Sequence, residues 1–188
     1  MVSRRKLLNT MGVISSMFVI PNSFANISPE ATSVVPLLTN RNKKNSYWYI
    51  GHLMSLLITS KQTGGSYALL RSTERRGFEP PPHTHTKEDE TFLILEGEVT
   101  YTVGNETFQA KAGDVMFLPK NIQHSFKIES EMIETLILLT PGGFENYFIE
   151  MSEPAKELEL PPLPHSPPDI PKLIATASKY GVKFSLPK

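Results

Sequence analysis

From Tyr47 to Leu139 the chain is a series of short apolar runs with turn signals between them. The runs are YWYIGHLMSLLI, SYALLRS, TFLILEG, EVTYTVG, ETFQA, DVMFLP, IQHSFKI and EMIETLILL. The breaks are Thr63-Gly64-Gly65, Gly97, Gly104-Asn105, Ala112-Gly113-Asp114 and Pro119-Lys120-Asn121. No helical pattern in this region is long enough to cover a parallel sheet. Many short strands with regularly spaced turns therefore predict an all-β sandwich or barrel over residues 47–152.

Two stretches change period. In GGFENYFIEMSE, Phe144, Tyr147, Phe148 and Met151 recur at helical spacing and predict a short amphipathic helix after the last strand. Residues 153–171 hold seven of the sixteen prolines, which predicts an extended tie across the surface. In DIPKLIATASKYG, Asp169 suits a cap and Pro171 a first turn. Leu173, Ile174, Ala177 and Tyr180 share an apolar face, and Gly181 ends the helix. Residues 153–188 thus form a C-terminal tie and helix, and the polar stretch 26–46, broken by Pro29 and Pro36, a lead-in arm.

Residues 1–25 stand apart from this pattern. A basic start (Arg4, Arg5, Lys6), an apolar middle from Leu7 to Ile20 and Ala25 at the end predict an export signal cleaved after Ala25. Ser3-Arg4-Arg5-Lys6-Leu7-Leu8 resembles the twin-arginine signal, with Leu7 where that signal has Phe. The expected location is therefore exported, periplasmic or extracellular. The apolar run, interrupted by Ser15 and Ser16, is short for a membrane span, so no stable membrane anchor is expected.

Charge and cysteine content narrow the chemistry. The 188 residues carry 19 basic and 19 acidic side chains, and cleavage at Ala25 removes three basic ones, leaving 16 against 19. A balance of −3 gives no electrostatic reason to bind nucleic acid. With no cysteine, disulfides, iron–sulfur clusters and Cys-bound zinc are excluded.

The candidate chemistry lies in GFEPPPHTHTKEDETFLILEG, residues 77–97. Alternate residues on a strand share a face, so His83 and His85 point the same way. Glu90 opens the next strand on the face of Phe92 and Ile94. In AGDVMFLPKNIQHSFKI, His124 opens a strand on the face of Phe126 and Ile128. Imidazoles and a carboxylate converging in an apolar interior are costly unless a divalent metal binds them. Glu88 is an alternative to Glu90 as the acid. His52 reads as a hydrogen-bonded core or edge histidine, and His165, among prolines, as a solvent-exposed one. Tyr67, Phe92, Tyr101, Phe117 and Phe126 are candidate walls of a substrate pocket.

These segments resemble the two motifs of the cupin superfamily. Gly77-x5-His83-x-His85-x4-Glu90-x6-Gly97 matches each fixed position of the first motif. Gly113-x5-Pro119-x-Asn121-x2-His124 matches the second, with Asn121 where the motif has Gly and Ile128 where it ends in Asn. Asn tolerates a left-handed backbone, so the first departure is mild. The resemblance implies a double-stranded β-helix, or jelly roll. It also implies a single-metal site of His83, His85, Glu90 and His124. Such a set suits Fe, Mn, Ni, Co, Cu or Zn.

The Pro-Pro-Pro-His-Thr-His entry and Thr-Pro-Gly-Gly-Phe-Glu after the last strand are similar to small bacterial cupins grouped with quercetin 2,3-dioxygenase. That likeness implies dioxygen insertion into an enol or flavonol-like small molecule, with Glu90 accepting its hydroxyl proton. Two other readings share the fold: metal-assisted isomerase or lyase chemistry on a hydroxy acid or sugar, and a non-enzymatic small-ligand module. A homodimer is expected, with the 26–46 arm as a candidate for exchange between subunits.

Overall fold

The computed structural model describes residues 34–185. The expected export signal, the first part of the arm and the last three residues lie outside the described residues. Among the described residues no helix is long and apolar enough to cross a membrane.

Among the described residues, twelve strands and two helices follow one another. A single 3-10 turn at Lys43–Asn45 leads into β1 (Ser46–Tyr49), then β2 (His52–Ile58), β3 (Ala68–Arg75), β4 (His83–His85) and β5 (Asp89–Glu96). Next come β6 (Glu98–Val103), β7 (Glu106–Lys111), β8 (Val115–Leu118), β9 (His124–Ile128) and β10 (Met132–Thr140). The described residues end with α1 (Glu145–Met151), β11 (Glu153–Pro154), α2 (Ile170–Lys179) and β12 (Val182–Phe184). The strands form two antiparallel sheets, ordered β11-β1-β2-β3-β10-β5-β8 and β12-β4-β9-β6-β7. This is the all-β jelly roll that the run-and-turn pattern and the cupin motifs imply.

The period-2 pattern decides which side chains meet. On β10, Ile133, Thr135, Ile137 and Leu139 are buried while their neighbours are partly exposed. On β5, Glu90, Phe92 and Ile94 turn inward. Val99 and Tyr101 on β6 and Ile128 on β9 face them from the other sheet to close the core. Fully burying a side chain of this size contributes roughly 1.5–3 kcal/mol.

Two tight turns set the register. Gly97, between β5 and β6, has φ +90°, and a Cβ there would lie 2.5 Å from the Met132 carbonyl oxygen. Only glycine fits both conditions. Asn121, in the turn before β9, has φ 64°, the left-handed backbone that its place in the second motif requires. The Asn121 N–H donates to the His85 carbonyl at 2.7 Å, so the two motifs are tied through their backbones.

Beyond the two-residue β11, the sequence pattern misses two elements. YWYIGHLMSLLI reads as one run, yet it is a hairpin that turns at Ile50 and Gly51, both at positive φ (41° and 82°). Consecutive left-handed residues match the twist of flanking strands, and here that geometry prevails over the poor fit of a β-branched residue. The second is β12, which pairs with β4 in the register Val182↔His85 and Phe184↔His83.

The helices form where the 3.6-residue period places them. Asp169 Oδ1 accepts from Lys172 N–H at 3.1 Å and caps α2. At the start of α1, the buried carboxylate of Glu145 accepts the Gly143 N–H at 2.6 Å and the Ser60 N–H at 2.7 Å. Those two bonds fix the chain as it leaves β10.

Candidate metal centre

The short strand β4 presents both of its histidines inward, as alternation demands: His83 is 7% exposed and His85 1%. His124 opens β9 directly opposite His83. These three rings come from the five-stranded sheet. Glu90 comes from β5 in the seven-stranded sheet, opposite Leu118 and Leu139. The four side chains therefore meet between the layers, and all are buried.

Each offers one ligand atom, and those atoms lie within 4.8 Å of one another. His83 Nε2 and His124 Nε2 are 3.2 Å apart. Glu90 Oε2 lies 3.4 Å from His85 Nε2 and 3.3 Å from His124 Nε2. Donors each about 2.1 Å from one centre, at octahedral or tetrahedral angles, stand about 3.0–3.4 Å apart. The spacing fits a single ion.

The outer hydrogen bonds fix the ring states. His83 Nδ1–H donates to the Pro81 carbonyl at 2.8 Å, and His85 Nδ1–H to Glu88 Oε1 at 2.5 Å. Both Nε2 atoms then carry lone pairs aimed at the cluster. Lone pairs converging with a carboxylate in a dry interior repel unless they share an electrophile. His124 Nδ1 is buried with no partner among the described residues. The three rings thus have three different supports: a carbonyl, a carboxylate and none.

Electrostatics agrees with this geometry. Burial, helped by His124 and His85, pushes His83 down to about 4, so that ring stays neutral near pH 7. Burial also opposes ionisation of Glu90, but His85, His124 and His83 outweigh it and hold the carboxyl down at about 2. Against burial, Glu90 and Glu88 raise His85. An anionic Glu90 and a neutral His83 both offer lone pairs that a divalent cation accepts.

A cavity of about 380 Å³ reaches all four residues. Its walls are apolar and aromatic, among them Phe78, Phe144, Phe148 and Phe184. No lysine or arginine lines it among the described residues.

Of the expected pocket residues, Phe92 and Phe126 line this cavity. Tyr101, with no exposure, lies against both rings at centroid distances of 5.8 and 5.9 Å but is not on the wall. Phe117 and Tyr67 are corrections. Leu118 pairs with the inward Glu90, so Phe117, paired with Thr91, must face outward, and it is 55% exposed. Tyr67 precedes β3 in the Thr63–Tyr67 turn, where its carbonyl accepts from Thr63 Oγ1, away from the cavity lining.

The remaining acids and histidines also find places. Glu88 does not replace Glu90; it holds His85 from behind. His52 is buried and satisfied: Arg75 N–H donates to Nδ1 at 3.2 Å, which leaves Nε2–H for the Phe78 carbonyl at 3.0 Å. His165 is exposed in the Pro-rich tie. Sequence reading missed the cavity residues Glu74, Tyr49 and Tyr147; the two tyrosine hydroxyls bond each other at 2.8 Å.

Comparison with known proteins agrees with the fold and the motifs. Residues 72–140 match the cupin domain family model. Quercetin 2,3-dioxygenase of Bacillus subtilis (strain 168) is 29% identical over 102 residues, covering 54% of this chain and 30% of that protein. The enzyme of the same name from Aspergillus japonicus is 36% identical over 72 residues, covering 36% of this chain and 21% of that protein. The chain thus spans less than a third of the length of these two relatives. Among solved structures, KdgF from Halomonas sp. aligns with a TM-score of 0.51 at 14% identity, covering 59% of this chain and 99% of that one. That likeness concerns the fold alone. The chain belongs to the cupin superfamily.

Proposed function

We propose that this protein is a metal-dependent dioxygenase acting on an enol or flavonol-like small molecule, with His83, His85, Glu90 and His124 as its metal ligands. The observation that carries the reading is the cavity: four buried ligands at one place in an apolar, aromatic space that no lysine or arginine lines among the described residues. A hydroxy acid or acidic sugar would bring a carboxylate that finds no cationic side chain there. A neutral aromatic enol fits, and both named relatives are quercetin 2,3-dioxygenases.

A redox-active ion in this site would supply Lewis acidity and a path for electron density towards dioxygen. The chain's own residues do the rest. His83, His85 and His124 present nitrogen donors, with His83 oriented by the Pro81 carbonyl and His85 by Glu88. Glu90 engages His85 and His124 through Oε2, so its Oε1 is the atom that takes the enol hydroxyl proton. The aromatic walls exclude water from the enolate.

Oxygen uptake is the test. Metal-loaded protein given flavonols should consume oxygen in step with substrate loss. A metal-replete sample that binds these compounds and consumes none rules the dioxygenase out. Isomerase or lyase activity, or a binding module, would then remain.

Residues 1–25 support export to the periplasm by the twin-arginine route. Replacing Arg4 and Arg5 with lysine should block export, and normal export of that variant excludes the route. The exposed Val34, Val35, Leu37 and Leu38 of the arm favour a homodimer. Light scattering at the monomer mass would exclude one.

A further inference from the structure

Glu74 is a buried carboxyl used neither by the ligand cluster nor by the framework of the fold. Leu70, Ser72 and Glu74 alternate on the inner face of β3, and Glu74 is 5% exposed. It stands opposite Ile133 on β10, whereas Glu90 stands opposite Leu139, six positions further along the same strand. The two acids thus enter one cavity from different ends of one wall.

The hydrogen bonds around Glu74 are incomplete on one side. Ser72 Oγ–H donates to Glu74 Oε1 at 2.7 Å, and Ser72 Oγ is itself 2.7 Å from Thr135 Oγ1. Oε2 has no partner among the described residues. Of the neighbouring polar groups, the buried Tyr101 hydroxyl is left without a partner among the described residues, and the rest are engaged. His52 uses both ring nitrogens. Glu79 accepts from the Gly77 N–H at 2.8 Å and the Ile128 N–H at 2.9 Å. Tyr49 and Tyr147 satisfy each other. Glu74 lines the cavity, and an oxygen left there without a protein partner carries a cost. A ligand hydroxyl removes that cost.

We infer that Glu74 orients the substrate, its free carboxyl oxygen pairing with a hydroxyl on a ring or arm remote from the enol oxygens that face the four ligands. The inference rests on the reading of the site as one for an enol or flavonol-like molecule, and adds that the molecule carries a second, phenol-type hydroxyl. A carboxyl both gives and takes hydrogen bonds, so it matches a hydroxyl in either sense. Burial, reinforced by Glu90 and Glu79 and opposed by His52 and Ser72, raises Glu74 and favours its proton-bearing form. With Oε1 accepting from Ser72, that proton belongs on Oε2, facing the cavity. A site built this way rejects an analogue lacking the hydroxyl, because the carboxyl is then left unpaired.

The test compares quercetin, with hydroxyls on both ring systems, with 3-hydroxyflavone, which keeps only the enol hydroxyl. Both are titrated into metal-loaded protein without oxygen. Wild type should prefer quercetin by about tenfold or more. Glu74→Leu should lose that preference while still binding 3-hydroxyflavone, and Glu74→Gln should keep part of it. Unchanged metal content in both variants verifies that the ligand cluster is intact. An equal preference in wild type and Glu74→Leu overturns the inference, as does binding of neither compound by wild type. Oxygen is then admitted. Uptake with an unaltered preference in Glu74→Leu defeats the role of Glu74 and leaves the dioxygenase standing. A Glu74-dependent preference without uptake does the reverse.

Discussion

Glu88→Gln probes how the metal centre is held. Glu88 accepts from His85 Nδ1–H at 2.5 Å, and the two side chains are 4% and 1% exposed. A charge-assisted hydrogen bond between groups this dry contributes about 1.5–3 kcal/mol. Glutamine keeps an acceptor oxygen, so the tautomer and the ring orientation survive. What is lost is the negative charge that makes Nε2 the more basic donor. The expected loss of metal affinity for Glu88→Gln is therefore about tenfold, at the low end of the range for such supporting carboxylates. Glu88→Ala leaves a buried N–H without a partner, and its expected loss is about a hundredfold. Metal-stripped protein would be titrated against a chromophoric chelator of known affinity, with Glu98→Gln, an exposed change on β6, as control. Superimposable circular dichroism verifies the fold. If both Glu88 variants hold metal within about twofold of the control, Glu88 does not support His85 as a metal ligand.

Other outcomes follow from the same geometry. Because burial first, and Glu90 and Glu79 after it, raise Glu74, its folded carboxyl titrates above the unfolded value of 4.5. Its contribution to stability is intact below that value and is lost as pH rises through the folded one. Glu74→Gln should therefore gain thermal stability over wild type at pH 8 relative to pH 4, and melts showing no pH-dependent difference would contradict this. Asn121 has φ 64°, so Asn121→Gly should change stability little, whereas Asn121→Val should cost about 1–2 kcal/mol, read from urea midpoints. Ile133, with no exposure, packs at the centre of β10; Ile133→Ala should cost about 2–5 kcal/mol in the same assay, and a loss near zero would place it outside the core.

Much of the architecture follows from period alone. The alternation of β5 and β10, and the His83-Thr84-His85 spacing, place side chains on faces without tertiary information. The turn at Asn121 is legible because few residues accept its backbone. Other features depend on contacts that a linear pattern does not carry. Ile50 and Gly51 turn inside an unbroken apolar run, with nothing polar to mark the break. The role of Glu88 comes from the direction of a loop side chain, which spacing does not fix. Glu74 lies in Ser-Thr-Glu-Arg-Arg, which reads as a solvated edge, yet Leu70 and Ser72 share its face and are buried, a parity signal present in the sequence. Phe117 shows the converse. Counting strand parity back from Leu118, not hydrophobicity, tells which way it points.

The most direct measurement is the metal content of the purified chain, expressed and isolated without chelators and read by elemental analysis beside a Glu90→Ala, His124→Ala double variant. His83, His85, His124 and Glu90, with ligand atoms within 4.8 Å of one another and three of the pairs at 3.2–3.4 Å, predict about one transition-metal ion per wild-type chain and a small residue in the variant. Less than about a tenth of an equivalent in wild type, with no uptake on reconstitution, or equal content in the variant, would contradict a metal centre at these four residues.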